Sequence, residues 1–325
     1  MGETANTSKL ANRVSDDIFK WLKWSSKPLT DVDWECVNVE KHQTHKFKKH
    51  PTDIVFYYTH PYSGKTIYIN TDLKSYKSTS ITESSVRNSL KSLARSIECA
   101  LISPDWQEKF TDPNDDFEVS GLLFTFNYDN HYSKDFLKIL QGIRLETLGI
   151  QEGQVIAVFG PETINYLINL VNDLRLVVQD NEQLGPNSYN FFYPQLVMNK
   201  KHSLDNYAAT TEAILSPYLI VEFKETCKKQ YVIYYKESGD TVDEFIYLID
   251  ILSNYQILDT KNSIEVVLYN TECSNILIHF ESAKRQYAKA WGLSLEDSNF
   301  KNLTARLISR IQHTYNPLNE GMQDE

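Results

Sequence analysis

The stretch IVFYYTHPYSGKTIYIN, residues 54 to 70, leaves this chain few local options. Two runs of aromatic and β-branched residues flank a loop punctuated by Pro61 and Gly64, which is the pattern of a β-hairpin. Taken symmetrically about that loop, Thr59 pairs with Thr66, and the same register carried outward sets Asp53 opposite Asp72. Period two puts Tyr68, Asn70, Asp72 and Lys74 on one face of the second arm, and Ile67, Ile69, Thr71 and Leu73 on the other. Asp53, Val55 and Tyr57 share a face of the first arm. Charges at hairpin ends also keep exposed edges soluble, so solvation is one reading of these acids.

A metal site is the other. Carboxylates directly opposed on a sheet destabilise it, and a divalent cation between them turns the repulsion into binding. Mg²⁺ suits such a site, because it takes one or two carboxylates and leaves its other positions to water and phosphate oxygens. Lys74, on the face of Asp72, is then within reach of the attacking water or the phosphate.

Around the hairpin the periodicities predict a layered α/β domain. RVSDDIFKWLKW carries Val14, Ile18, Trp21 and Leu22 at helical spacing, with Ser15 or Asp16 as its cap. DWECVNVE (33–40) reads as a strand, and TESSVRNSLKSLARSIECAL as a helix burying Val86, Leu90, Leu93, Ile97 and Leu101. A strand at VSGLLFTFNYD, a short helix at SKDFLKILQGI, a strand at QVIAVFG and a helix started by Pro161 complete the series.

A chain of 325 residues is long enough for two domains. The polar, turn-rich QDNEQLGPNSYN is the expected boundary, giving domains of residues 1–183 and 184–325. The second should be a smaller α/β unit of order ββαββα, followed by a helix over SNFKNLTARLISRIQHT. No internal repeat is visible.

The net charge of −10 argues against a polyanion partner until its distribution is considered. Between Lys41 and Ala100 ten basic residues face four acidic ones, so one region can meet phosphates while the rest stays acidic. Lys46, Lys48 and Lys49 precede Asp53 in an acid-free stretch that either tracks a phosphate backbone or forms a solvated loop. Arg87 and Lys91, with Arg95, fall four apart on the helix after the hairpin, either as phosphate-binding groups or as a solvated face. Cys36, Cys99, Cys227 and Cys273 form no CxxC pair and read as packed, reduced thiols. His42, His45 and His50 have poor ligand spacing, so the sequence argues against zinc. No run is long and apolar enough to cross a membrane, and the polar start lacks a signal-peptide core, so a cytoplasmic location is expected.

Pro51-Thr52-Asp53 followed by Asp72-Leu73-Lys74, on a hairpin flanked by these helices and strands, resembles the signature of the PD-(D/E)xK nuclease superfamily. The resemblance covers roughly residues 10 to 180, and Thr52 interrupts the literal Pro-Asp pair. It implies a restriction-endonuclease-like αβββαβ core and Mg²⁺-dependent hydrolysis of phosphodiester bonds, with Mn²⁺ able to substitute. Asp53 and Asp72 would be metal ligands, with the Leu73 carbonyl a third. Lys74 would position or deprotonate water and stabilise charge on the phosphate. Superfamily members often carry another acid on the first helix, and Asp17 is the better candidate there. DNA is the expected substrate, and the same site could cut RNA. A stand-alone nuclease of this build resembles effector subunits of bacterial phage-defence systems, which implies a protein partner or self-association through the C-terminal domain. A non-catalytic nucleic-acid-binding subunit and a purely structural interaction protein are the other readings. Glu222-Phe223-Lys224 is a second acid-x-Lys, without an acid on a preceding hairpin arm.

Overall fold

The computed structural model describes residues 2–42, 48–180, 188–194, 207–224, 229–259, 261–270, 272–295 and 298–310. It opens with helix α1 (Gly2–Trp21), then β1 (Ser25–Ser26), β2 (Val32–Glu35), the helical turn α2 (Val39–His42), β3 (Lys49–Thr52), β4 (Ile54–Thr59) and β5 (Thr66–Tyr76). Next come α3 (Glu83–Ala100), α4 (Pro104–Phe110), β6 (Phe117–Asn127), α5 (Phe136–Gly142), β7 (Ile156–Phe159) and α6 (Pro161–Asp180). The described chain forms two compact units that part between Leu167 and Ile168, inside α6. The polar stretch expected as the boundary lies largely at 181–187, outside the described residues.

The first unit is built on a five-stranded sheet of order β1-β4-β5-β6-β7. The pairs β1–β4 and β4–β5 are antiparallel, while β5–β6 and β6–β7 are parallel. In chain order, α1-β1-β4-β5-α3-β6 is the αβββαβ core. The hairpin register is the one its loop dictates: Thr59 faces Thr66 and Ile54 faces Thr71.

Both faces of this sheet are covered, which is why β5 reads as buried over most of its length. One face carries Phe56, opposite Ile69, and Phe124, beside Leu73. Phe19 of α1 packs on it, with ring centroids 4.6 Å from Phe56 and 5.9 Å from Phe124. The other face receives α3, whose Leu90, Leu93 and Ile97 pack around Leu123, the neighbour of Asp72. Thr82 caps α3 in a reciprocal capping box with Ser85.

Two local expectations change. The strand expected over 33–40 stops at Glu35 and never joins the main sheet; it pairs antiparallel with β3 as a separate ribbon. The two-residue β1 takes the sheet edge instead. Ser15 is no cap either, because α1 begins well before it and the Ser15 hydroxyl donates to Asn12 O within the helix.

The second unit holds β8 (Tyr189–Phe191), α7 (Thr211–Leu215), β9 (Tyr218–Lys224), β10 (Lys229–Tyr235), α8 (Val242–Asn254), β11 (Ser263–Leu268), α9 (Ile276–Ala290), α10 (Ser298–Lys301) and β12 (Leu303–Leu307). NILIHFE, expected as a strand, begins α9, because Ile276, Phe280, Ala283 and Tyr287 form one helical stripe against the core. The expected final helix lasts only one turn, α10, before the chain extends into β12, whose Leu303 and Ala305 alternate onto the same core; its last residues, 311–314, lie outside the described residues.

These changes yield a second sheet of order β8-β9-β10-β11-β12. Its first two pairs are antiparallel and its last two parallel. α8 and α9 sit in the same connections as α3 and α5. The strand order and directions of the first unit are therefore repeated in the second, although no repeat is visible in the sequence.

Candidate active site

Asp53 is the single residue between β3 and β4, at the bend where the chain passes from the small ribbon into the main sheet. Continuing the ladder one step beyond Ile54 and Thr71 sets it against Asp72. Its Oδ2 accepts a 2.6 Å hydrogen bond from Leu73 N–H. Burial, with the Asp72 carboxylate beside it, pushes its pKa up to about 6. Lys74 ion-pairs with Asp72. Burial works against its ammonium, yet the charges of Asp72 and Asp53 prevail and hold its pKa above the ordinary lysine value. That direction favours the charged ammonium, which suits orienting water or meeting phosphate.

A buried polar chain fixes the two carboxylates. Trp34 Nε1 donates to Thr52 Oγ1 at 2.8 Å, Thr52 Oγ1 to Asn70 Oδ1 at 2.7 Å, and Asn70 Nδ2 to Ser96 Oγ at 2.8 Å. It spans β2, β3, β5 and α3, and it grips the residue before Asp53 and the residue two before Asp72. Thr52, which breaks the literal Pro-Asp pair, has a structural task. Tyr68 shares the face but packs near Trp106, and its hydroxyl donates to Asp115.

Asp31 is the acid that the sequence does not single out. Its N–H donates to Asp53 O at 2.8 Å, and burial followed by the Asp53 charge raises its pKa. Its backbone is left-handed, with φ 53°, and it lies in a loop without periodicity, so nothing local announces it. Asp17 is exposed on α1, the helix of the opposite sheet face. With Arg13, Asp16 and Lys20 it lines a shallow concavity of about 590 Å³. Burial raises the pKa of Asp16 in the same concavity.

Lys49 is exposed and His50 buried by the alternation of β3, with Lys48 exposed just before them. Arg87 and Lys91 are exposed on α3, and Arg87 lies 3.6 Å from Glu83. Lys46 lies outside the described residues. Glu222 is engaged by Lys229 at 2.6 Å, on the first arm of its hairpin rather than the second. In the second unit, the positions that continue the β9–β10 ladder as Asp53 and Asp72 continue theirs are Pro217 and Lys236.

Two carboxylates so placed form a donor set that suits a divalent cation. A sheet of this topology, with those acids and a lysine at the end of its central hairpin, defines a nuclease domain of the PD-(D/E)XK class. The chain belongs to one family of that class: residues 1–163 match the family described as the GAPS4 protein PD-(D/E)XK nuclease domain. No curated protein and no solved structure gives a significant match. Among the described residues no helix is long and apolar enough to cross a membrane.

Proposed function

We propose that this nuclease is a Mg²⁺-dependent endonuclease that hydrolyses DNA, with Mn²⁺ able to replace Mg²⁺. The observation that carries the reading is the convergence of Asp53 and Asp72 beside Lys74. Asp53, Asp72 and the Leu73 carbonyl would hold the cation, which would supply positive charge to the scissile phosphate and activate water. The Leu73 N–H holds one oxygen of the Asp53 carboxylate in place. Lys74 neutralises charge that develops on the phosphate oxygens, already oriented by Asp72 and so at little reorganisation cost. Asp31 adds a further negative charge at the edge of the site. Lys46, Lys48, Lys49, Arg87 and Lys91 engage the nucleic-acid backbone.

The second domain repeats the topology without the acid pair, which suits binding a partner subunit or a second copy rather than catalysis. The family name supports a role in anti-phage defence; a bacterial cytoplasmic location is part of the proposal. The test is cleavage of plasmid, single-stranded DNA and RNA with Mg²⁺, Mn²⁺ or EDTA, alongside Asp53→Ala, Asp72→Ala and Lys74→Ala. Metal-dependent cutting of DNA, lost in all three variants, is expected. Preferential cutting of RNA would replace the substrate, and cutting that survives the substitutions would overturn the site.

A further inference from the structure

Away from the carboxylate pair, the fold gathers Cys36, His42, His50 and Cys99, all buried, with one potential ligand atom from each within 4.8 Å of the others. They come from separate places: the residue after β2, the end of α2, the middle of β3 and the penultimate residue of α3. Cys36 Sγ and Cys99 Sγ are 3.8 Å apart, and His42 Nδ1 lies 3.4 Å from the first and 3.5 Å from the second. Two thiolates about 2.3 Å from a tetrahedral zinc lie roughly 3.8 Å from each other, and a thiolate and an imidazole nitrogen roughly 3.5–3.6 Å. The three spacings among the two sulfurs and His42 Nδ1 are those of a zinc coordination sphere.

The surroundings fit the same ion. His42 turns its other nitrogen, Nε2, to Glu98 Oε2 at 3.2 Å, the carboxylate–histidine arrangement that orients metal-bound imidazoles. Glu98 is in turn held by Lys41 Nζ at 2.5 Å. Backbone N–H groups of Val37 and Asn38 donate to Cys99 Sγ, although burial is the larger effect and pushes that thiol up to about 11 in the metal-free protein. His50 Nε2 is buried with no hydrogen-bond partner among the described residues, a costly state that a fourth metal bond would end. Two sulfurs and two imidazole nitrogens select zinc over the hard, oxygen-seeking Mg²⁺.

We propose that Cys36, His42, His50 and Cys99 bind one structural zinc ion, through both sulfurs, His42 Nδ1 and His50 Nε2. The ion ties the β2–β3 ribbon to α3. Because β3 runs directly into Asp53, it also anchors the strand that delivers one acid of the catalytic pair. The sequence argues against zinc because its histidines are poorly spaced among themselves; the site uses only two of them and takes its sulfurs from either side.

The experiment is metal analysis of the purified full-length chain, with zinc release followed colorimetrically as the thiols are titrated with a mercurial. About one zinc per chain is expected in the wild type and in Asp53→Ala and Asp72→Ala, and almost none in Cys36→Ser or Cys99→Ser. Should those serine variants not fold, the wild type is unfolded with chelator and refolded with Co²⁺. Thiolate-to-cobalt charge transfer and intense tetrahedral d–d bands then support the site. A folded, zinc-free wild type that gives no such spectrum, or one carrying a Cys36–Cys99 disulfide, would overturn it. Zinc lost in the aspartate variants would instead place the ion at the carboxylates and equally overturn it.

Discussion

Thr52 Oγ1 donates to Asn70 Oδ1 across 2.7 Å of buried space, joining the strand that leads into Asp53 to the strand that carries Asp72. Asn70→Ala strands Thr52 and Ser96 and frees the two strands to shift. Its expected cost is about 1–3 kcal/mol of stability, the penalty of unpaired buried polar groups, read from chemical denaturation. Cleavage should fall further than stability explains, because misplacement of a catalytic group by about 1 Å costs on the order of 10²-fold. A variant with lowered stability and an unchanged rate per folded molecule would show that the chain does not position the acids.

Removal of Asp72 or Lys74 should act mainly on the chemical step. For Lys74→Ala the expected loss in kcat is about 10²–10³-fold, the scale for deleting one preorganised stabilising group. Circular dichroism should be unaltered. Asp72→Ala should also abolish the Mg²⁺-induced rise in Tm, which at about 100 Kd of ligand is worth about 2.7 kcal/mol in the wild type.

The raised pKa of Asp53 makes two pH predictions of definite sign. Protons compete with the cation for its carboxylate, so Mg²⁺ affinity should weaken as pH falls through about 6. Without metal the linkage runs the other way. A carboxyl whose pKa is about 6 when folded and 3.8 as a model group costs the folded state its full penalty above pH 6, and nothing below about pH 4. In EDTA, stability should therefore decline between pH 4 and 6, on the order of 2 kcal/mol. Asp53→Asn should raise Tm at pH 7 and leave it unchanged near pH 4, measured by calorimetry in chelator.

Lys48, Lys49, Arg87 and Lys91 are exposed, so their substitution by Ala should spare the fold. Removing each phosphate-neutralising cation should lower the slope of log K against log salt by about 0.9 on duplex DNA, with no change in sequence preference. Fluorescence anisotropy across a salt series, in Ca²⁺ to block cutting, reads this directly. An unchanged slope in the quadruple variant would move the binding surface elsewhere.

Gly160, between β7 and α6, tests the packing under α5. A Cβ there would lie 2.3 Å from Phe136 Cδ1 and 2.6 Å from Cε1, and the ring is buried. Gly160→Ala should cost about 1–3 kcal/mol as an overpacking substitution, and Phe136→Leu should recover part of it in the double variant.

The hairpin and its acids are legible in the sequence because their geometry is local. A symmetric loop fixes the register, and period two fixes the face, so Asp53, Asp72 and Lys74 follow from counting along one segment. The helices that cover the sheet are likewise written in their apolar spacing, as Val86, Leu90, Leu93 and Ile97 show, although Leu101, expected on the same stripe, follows the end of α3 and is exposed. Tertiary structure alone decides the rest. Asp31 reaches Asp53 through a backbone hydrogen bond from a loop without a pattern. NILIHFE and LTARL are short apolar runs that either period accommodates, so only their neighbours on the second core make one a helix and the other a strand, and with them a repeat of the nuclease topology. The Cys36–His42–His50–Cys99 cluster unites residues from β2, α2, β3 and α3, and no spacing along one element could announce it. Local periodicity reports what a segment does with its own backbone; which distant side chains meet is settled when the sheet order is chosen and the helices pack across it.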